Sequence, residues 1–418
     1  MSNNRKSDDV PNTASGIQIA MILLGILITP VLLASSSLGS QLELGNAALI
    51  IASGSLILTV LAAINISIGE KARLPTYGIV KFSFGNQGAI AINIIMAISL
   101  FGWITVTANM FGHSVYNILS DFGVSIPIPI LVAVGCVIFV TSTAFGFEML
   151  GKVSKVAVPV IIVLMFVVLF LTTNSGVSAT EKLAQLPFGT AVSSVVGTII
   201  VLVTTAPDFG SFVHNRKHAV MAGVLTFGLV YPVLFFVGVV PSALTSEGSL
   251  LGAMAVIGTT LPAAVLLVFA CVTGNAGNMF QGTLVVSTLF NKIAKWKITV
   301  VLGILATVLG SMEIMSWFIP FLLFLGIATP PIAGIYIADF FMNRQEGYDQ
   351  ALLEKESAIK PKTFVAWGLG SLVGFATVNG MFTLTSISSL DSILIAFLGY
   401  FLLCRRSSAP MTANNKSR

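Results

Sequence analysis

The sequence contains very little charge. Only 9% of its 418 residues are Asp, Glu, Lys or Arg, and 56% are apolar. A soluble globular domain carries roughly 25% charged residues, so this composition excludes a soluble globule and indicates a chain that lies in lipid. The formal net charge is +5. Basic loops that face anionic lipid account for this surplus, so we expect no nucleic-acid partner.

Cysteine and histidine are also scarce, with three of each in the whole chain. Cys136, Cys271 and Cys404 all fall in apolar stretches, which argues against a disulfide framework, and their spacing is not that of metal ligands. A membrane-embedded enzyme would need a catalytic group such as a Ser–His pair within the apolar stretches, and the sequence offers none. We therefore expect a protein that is not an enzyme and has no cofactor.

Long stretches without any charged residue divide the chain. A helix needs about 20 apolar residues to cross the hydrocarbon core. Eleven stretches come close to this length or exceed it, the last by including residues 388–390, and the stretch 298–312 is shorter. The twelve stretches, each taken as one span, are 16–42, 44–69, 82–120, 122–147, 156–180, 183–207, 219–246, 248–291, 298–312, 314–338, 363–390 and 392–404.

The basic residues favour this count and one orientation. With one span per stretch and a cytoplasmic N-terminus, every Lys and Arg except Lys182 falls on the cytoplasmic side. Such an asymmetry follows the positive-inside rule. The sequence therefore predicts a twelve-span protein of the bacterial inner (plasma) membrane, with the lipid bilayer as its partner and both termini cytoplasmic.

Two of the predicted spans carry helix-breaking signals. Span 1 contains Ile28-Thr29-Pro30, and span 6 ends in the segment 204–208, which includes Pro207. Breaks five spans apart are typical of transporters built from two inverted five-helix repeats, whose discontinuous helices meet at a site near the membrane midplane. The alternative is that these residues mark only kinks, because Pro and Gly are common in membrane helices.

The middle of every predicted span lacks Asp, Glu, Lys and Arg. Asp208 and Asp339 lie only at the ends of spans 6 and 10. This absence argues against a carboxylate proton relay and against a strongly charged substrate, and it favours a neutral solute held by hydrogen bonds and stacking. Trp103 is the only Trp deep within a span, and Thr107, four residues on, shares its helix face. They would suit a flat heterocycle, although Trp103 as a packing or lipid-facing residue is the alternative.

Several motifs make the chain resemble the nucleobase–cation symporter-1 family, also called the purine-cytosine permease family, and most closely its bacterial cytosine permease branch. The most specific is the stretch from Pro330 to Arg344, PPIAGIYIADFFMNR; the others are Lys81 to Gly85, the Gly102-Trp103 pair and Asp208-Phe209. The resemblance covers about residues 16–406, in matching order and spacing.

This resemblance implies a fold, an activity and a set of site residues. The implied fold is all-α with twelve transmembrane helices and is of the leucine-transporter type. It has a five-plus-five inverted-repeat core followed by two C-terminal helices. The activity is import of a nucleobase or related small neutral heterocycle (cytosine-like, purine or hydantoin-type) by cation symport with alternating access. A bundle of spans 1, 2, 6 and 7 would rock against the remaining scaffold. The implied substrate-binding residues are Trp103, Thr107, Thr198, Asn275 and Asn278. The implied cation-binding residues are Leu24, Leu27, Ile28 and Thr273, for Na⁺ or else H⁺ as coupling ion.

The sequence departs from the family pattern at positions that bear on the substrate and the ion. Ile199 replaces a span 6 aromatic residue, Leu100 replaces a Gln, and Gly274 replaces the second of two Thr residues in span 8. A transporter of amino acids on the same fold is therefore an alternative, and a channel is a less favoured one, since no ring motif is seen.

The predicted organisation is a single membrane domain that we expect to be monomeric. A cytoplasmic tail (1–15) precedes the transport core of spans 1–10 (16–341). A cytoplasmic loop (342–362), spans 11 and 12 (363–406) and a second cytoplasmic tail (407–418) follow.

The topology can be tested with single cysteines. In intact cells, an impermeant thiol reagent should label Ser246→Cys, which is predicted to be outside, and should not label Ser407→Cys, which is predicted to be cytoplasmic. The opposite labelling pattern would overturn the orientation.

Overall fold

The computed structural model describes residues 14–42, 44–144, 146–177, 186–290, 292–312, 318–349 and 357–404. Over these ranges the chain is helical, and one isolated bridge pairs Ala14 with Val213. The tails predicted at 1–15 and 407–418 lie outside the described residues except for positions 14 and 15, and the predicted 342–362 loop is described only in part.

Seventeen helices can be followed through the described residues. They are α1 (Gly16–Gly39), α2 (Leu44–Ala72), α3 (Thr76–Phe84), α4 (Gly88–Asp121), α5 (Ile128–Ala144), α6 (Gly146–Thr173), α7 (Phe188–Thr204), α8 (Pro207–Gly210), α9 (Arg216–Gly223), α10 (Tyr231–Thr245), α11 (Leu250–Ile257), α12 (Leu261–Leu289), α13 (Lys295–Gly310), α14 (Phe318–Ala328), α15 (Pro330–Asn343), α16 (Pro361–Val378) and α17 (Ser388–Cys404). A π-helical segment, Val224–Val230, joins α9 to α10.

The helices follow the charge-free stretches of the sequence. Seven helical segments are long and apolar enough to cross a membrane, and three further apolar helices are shorter. Each of the twelve stretches contains at least part of a helix. The multi-pass, all-helical class is thereby confirmed, while the crossing by all twelve and the inverted-repeat arrangement stay predictions.

The break expected in span 1 is absent, and that prediction is wrong. Helix α1 runs without interruption from Gly16 to Gly39 with Pro30 inside it. Proline has no N–H to donate, so the carbonyl of Ile26, four residues earlier, loses its helical partner. The helix nevertheless continues, because α1 is packed among α6, α10 and α12 and its middle is buried. In span 6 the helix does end within the expected segment, since α7 stops at Thr204 and α8 begins at Pro207.

The helices form two packed groups. Helices α4, α5, α12 and α13 share a separate apolar core that includes Phe111, Phe139, Cys271 and Leu302. Helices α1, α2, α7 and α10 pack on one another and belong to the larger core. The first group comprises spans 3, 4, 8 and 9, and the second comprises spans 1, 2, 6 and 7. A rigid group with its own core can move as a unit.

The basic loops meet at one end of the helices, called here the basic end. Arg73 donates to the carbonyl of Val213, and Lys360 donates to the carbonyl of Phe82 at 2.7 Å. Asp339 is buried at the same end and accepts hydrogen bonds from Ser83 at 3.1 Å and from Tyr400 at 2.8 Å. These bonds attach α15 and α17 to α3.

A single carboxylate organises the turn between α16 and α17 at the opposite end. Asp391 is fully buried. It accepts from the backbone N–H groups of Leu384 and Thr385, each at 2.9 Å, and from the hydroxyls of Thr377 and Thr383, also at 2.9 Å. The carboxylate of Asp391 thus satisfies the hydrogen-bond donors of the loop that connects α16 to α17, which would otherwise need water.

Removing this carboxylate should destabilise the protein without touching transport chemistry. Asp391→Ala leaves two backbone N–H groups without their acceptor, which should cost about 2–3 kcal/mol of stability. The thermal unfolding midpoint of the purified protein in detergent should fall. Glu247→Ala, which removes an exposed carboxylate, serves as the control and should leave the midpoint unchanged. Equal midpoints for the two variants would contradict this role.

Candidate substrate and cation site

A small cavity lies in the middle of the helices, where the two packed groups meet. Its volume is about 30 Å³, enough for one or two water molecules. Among the described residues no charged side chain lines it. The lining residues come from α1, α4, α7 and α12 and from the turn after α7: Ile26, Pro30, Leu100, Trp103, Thr198, Ile199, Val201, Leu202, Thr205, Asn278 and Gln281.

Trp103 forms one wall of this cavity. It lies on α4, is 8% exposed, and meets Phe321 of α14 edge to face, with ring centroids 6.1 Å apart. Thr107, one turn farther along α4, does not line the cavity. Its hydroxyl is fully buried and donates to the carbonyl of Trp103 at 2.6 Å. In this conformation the structure brings Trp103 to the cavity and leaves Thr107 in the helix packing behind it.

The two predicted Asn residues of α12 have different environments. Asn278 lines the cavity and retains 8% exposure. Asn275 is fully buried, and its amide nitrogen donates to the carbonyl of Ile104 at 3.0 Å, which fastens α12 to α4. The residues are three apart on one helix, so their side chains point in related directions at different depths. Asn278 is the one that a ligand in the cavity would meet.

Helix α7 contributes Thr198 and the apolar side chain of Ile199. The hydroxyl of Thr198 donates to the carbonyl of Ser194 at 2.7 Å, so the oxygen lone pairs are what it offers to the cavity. The aromatic plate of the family pattern is absent, because Ile199 lines the cavity instead. A flat ligand would therefore stack on Trp103 from one side and pack against aliphatic groups on the other.

Thr205 and Gln281 also line the cavity, and neither was among the residues expected from the sequence. Gln281 lies one helical turn beyond Asn278 on α12 and donates to Oδ2 of Asp208 at 3.0 Å. The spacing of three residues from Asn278 was the available signal. Its partner Asp208 is fully buried just beyond the end of α7.

The residues expected to hold a cation lie where α1 crosses α12 and α6. Leu24, Leu27 and Ile28 are buried on α1. Thr273 of α12 is also buried, and its hydroxyl donates back to the carbonyls of Phe269 and Ala270, both at 3.1 Å. Its oxygen lone pairs therefore remain available to an ion.

Two further oxygens beside this crossing are unpartnered within the described part of the chain. The hydroxyls of Thr29 on α1 and Ser154 on α6 are fully buried and have no hydrogen-bond partner. Both lie close to the crossing: a Cβ on Gly274 would come within 2.9 Å of Thr29 Oγ1, and a Cβ on Gly25 within 3.1 Å of Ser154 Oγ. Unpaired buried hydroxyls are costly, and hard oxygens are what a sodium ion prefers, so the donor set fits Na⁺.

A second, larger cavity opens at the end opposite the basic loops. Its volume is about 310 Å³, and its walls include Ser36 of α1, Asn109 and His113 of α4, Leu250 of α11 and Leu267 of α12. Because α4 runs from Trp103 to His113 along this wall, the outer cavity lies above the central one on the same helices.

Replacing Trp103 should abolish tight binding of an aromatic heterocycle. Stacking of a base on an aromatic side chain is worth about 1–3 kcal/mol, so Trp103→Ala should weaken binding by roughly 10-fold to 100-fold. Trp103→Phe should keep part of the affinity. The control is Trp296→Ala, at a Trp that is 57% exposed. Ligand binding measured on the purified variants decides the matter: unchanged affinity in Trp103→Ala would reduce Trp103 to a packing residue.

Comparison with known proteins places nearly the whole chain in one family. Residues 10–402 match the family described as permease for cytosine/purines, uracil, thiamine, allantoin. The cytosine permease of Escherichia coli strain K12 is 26% identical over 422 residues, an alignment that covers 98% of this chain and 97% of that protein.

Solved structures agree on the fold. Mhp1, a nucleobase-cation-symport-1 family transporter in a closed conformation with bromovinylhydantoin bound, superposes with a TM-score of 0.82 at 17% identity, covering 96% of this chain and 95% of Mhp1. The inward-facing conformation of Mhp1 gives a TM-score of 0.76 at 16% identity, with 97% and 95% coverage. The chain described here therefore belongs to the permease family for cytosine, purines, uracil, thiamine and allantoin, and is a multi-pass membrane transporter.

Proposed function

We propose that this protein imports a nucleobase or a related small neutral heterocycle by cation symport with alternating access. The observation that carries the proposal is the central cavity, where Trp103 faces the polar side chains of Asn278 and Gln281 between two packed helix groups. Membership of the permease family supplies the substrate class. The basic end is cytoplasmic in this proposal, and the protein lies in the bacterial inner membrane.

The two helix groups provide the moving parts. Helices α1, α2, α7 and α10 form the moving bundle, and α4, α5, α12 and α13, with their own apolar core, form the scaffold. The cavity lies between the groups, so their rotation would open it to one side at a time. Similarity to both a closed and an inward-facing Mhp1 supports this cycle. The twelve spans and the two inverted five-helix repeats are part of the proposal.

The lining of the cavity supports a neutral, flat substrate. A charged substrate buried in this cavity would need a charged partner, and none lines the cavity among the described residues. The single aromatic wall of Trp103 and the aliphatic side chain of Ile199 in the same cavity suit a cytosine-like, purine or hydantoin-type ring. Thr198 and Asn278 are the contacts we propose for its polar edge.

Amino-acid transport, the alternative on the same fold, is less well supported. A carboxylate substrate would be bound by free backbone amides at a break in span 1. Helix α1 is continuous through that region, and Pro30 frees a carbonyl rather than an amide. The chain thus offers an acceptor, which suits a cation, where an amino-acid carrier needs donors.

We propose that the coupling ion is Na⁺, held where α1 meets α12 and α6. The hydroxyl of Thr273 and the unpartnered hydroxyls of Thr29 and Ser154 supply its side-chain oxygens. The carbonyls of Leu24, Leu27 and Ile28 lie within the continuous α1, where the helix already engages them, so each would contribute only its second lone pair. The carbonyl of Ile26 is a further candidate ligand for the ion. It lacks a helical donor because Pro30, four residues later in α1, has no N–H. An ion that joins moving α1 to scaffold α12 favours the state in which both are in contact, and by linkage it tightens substrate binding.

The function is tested by uptake into proteoliposomes. Radiolabelled cytosine, uracil, hypoxanthine, allantoin, hydantoin and leucine are offered with and without an inward sodium gradient. We expect accumulation of at least one heterocycle, dependent on sodium, and no accumulation of leucine. Accumulation of leucine alone would contradict the proposed substrate class, and accumulation that follows a pH gradient and ignores sodium would identify H⁺ as the ion.

The sodium site is tested by removing single hydroxyls. Thr273→Ala and Ser154→Ala should each raise the sodium concentration for half-maximal uptake by roughly 10-fold, since one ligand oxygen is worth about 1–1.5 kcal/mol. Substrate affinity at saturating sodium should change less. The matched control is Thr172→Ala, also a buried hydroxyl on α6, which donates to the carbonyl of Val168. If both test variants need the same sodium concentration as the unaltered protein, sodium does not bind at this site.

A further inference from the structure

Gln281 occupies the floor of the central cavity on the side of the basic end. Its side chain is 1% exposed and forms part of the cavity wall. Its amide nitrogen lies 3.0 Å from Oδ2 of Asp208 and 3.5 Å from the carbonyl oxygen of Thr205.

These two neighbours fix which way the carboxamide of Gln281 points. A carboxamide has two N–H donors and one carbonyl oxygen. An ionised carboxylate and a backbone carbonyl can only accept hydrogen bonds, so the nitrogen of Gln281 must face them and both its donors are engaged. The oxygen Oε1 is the remaining polar group, and within the described residues no donor is directed to it. The cavity floor therefore presents a hydrogen-bond acceptor.

Asp208 is itself held in place. It is fully buried, and its Oδ1 accepts from the backbone N–H of Thr76 at 2.7 Å. Thr76 is the first residue of α3, and the N-terminus of a helix favours a negative charge. Oδ2 is left to receive Gln281. Burial raises the pKa of the Asp208 carboxyl to about 6. The donors around it, the N–H of Thr76 and the amide of Gln281, favour the ionised, accepting form.

We propose that Gln281 is a specificity-determining residue that accepts a hydrogen bond from a ring N–H or amino N–H of the substrate, and that Asp208 is the positioning residue that holds it in this orientation. The inference rests on the proposed function and narrows the substrate class. The transported heterocycle carries an N–H donor on the edge that points towards the basic end. A compound methylated on that nitrogen loses the donor and is rejected.

The experiment compares each parent heterocycle with its N-methyl derivatives. Cytosine, uracil, hypoxanthine and hydantoin are tested for binding to the purified full-length protein in sodium buffer, and mono-N-methyl derivatives of any compound that binds are measured in the same way. We expect the unaltered protein to bind at least one derivative about 10-fold or more weakly than its parent. In Gln281→Met, which keeps the length and loses the acceptor, the parent should weaken by about 3-fold to 10-fold while that derivative changes by less than about 2-fold.

A second variant separates orientation from the mere presence of Gln281. Asp208→Asn keeps the shape of the side chain but adds a donor, which allows the carboxamide of Gln281 to turn its nitrogen to the cavity. The ratio of parent to derivative affinity should fall as it does in Gln281→Met. The matched control is Asp339→Asn, because Asp339 is a buried carboxylate at the same end that accepts from Ser83 and Tyr400 and does not line the cavity. That control should keep the ratio of the unaltered protein.

Each outcome bears on the proposal. If Gln281→Met or Asp208→Asn folds and keeps the ratio of parent affinity to derivative affinity of the unaltered protein, the role of Gln281 is overturned. The proposed function is unaffected by that result. If the affinity ratio falls equally in the control Asp339→Asn, the loss of discrimination comes from a general loosening of the structure. That result also overturns the role of Gln281. If none of the four heterocycles binds the unaltered protein, the proposed substrate class fails and this inference fails with it.

Discussion

The hydrocarbon core of a membrane offers no water, so every polar group of a spanning helix must find a partner inside the protein. Most hydroxyls in this chain meet that demand locally. Thr107 donates to the carbonyl of Trp103, and Thr198 donates to that of Ser194, each one turn back along its own helix. Against this background the hydroxyl of Thr29 on α1 stands out, because it is buried beside α12 and has no partner within the described residues. We propose that a bound ion would satisfy this hydroxyl and the unpartnered hydroxyl of Ser154 on α6.

The same constraint explains how two helix groups can hold a ligand between them and still move. The scaffold group of α4, α5, α12 and α13 is closed by its own apolar core and by the Asn275 bond to Ile104. Where α1 meets α12, Thr29 Oγ1 is unpartnered within the described part of the chain. We propose that a sodium ion placed there would supply the missing partner while α1 and α12 are in contact. Binding energy is thereby linked to the arrangement.

Much of the fold could be predicted from the sequence because charge is expensive in lipid. The positions of Lys, Arg, Asp and Glu placed a helix in each charge-free stretch. Trp103, Thr198 and Asn278, expected from the sequence to bind substrate, line the central cavity, and their role in binding stays a prediction. The continuity of α1 could not be foreseen from Pro30 alone, since it depends on packing by α6, α10 and α12. Nor could the sequence tell Asn275 from Asn278, because the answer depends on the rotation of α12 against α4. The Gln281–Asp208 pair joins residues 73 positions apart, so the local sequence pattern does not indicate it. Ser154 could not be distinguished in the sequence from any other small residue of an apolar helix.

The most direct test of the central claim is an experimental structure of the protein with its transported heterocycle and sodium bound. We expect the ring to be stacked on the indole of Trp103, with polar atoms within hydrogen-bond distance of Asn278 and Gln281, and an ion to lie between α1 and Thr273. A ligand seated in the outer cavity beside His113, with Trp103 still packed on Phe321 and no density in the central cavity, would contradict it.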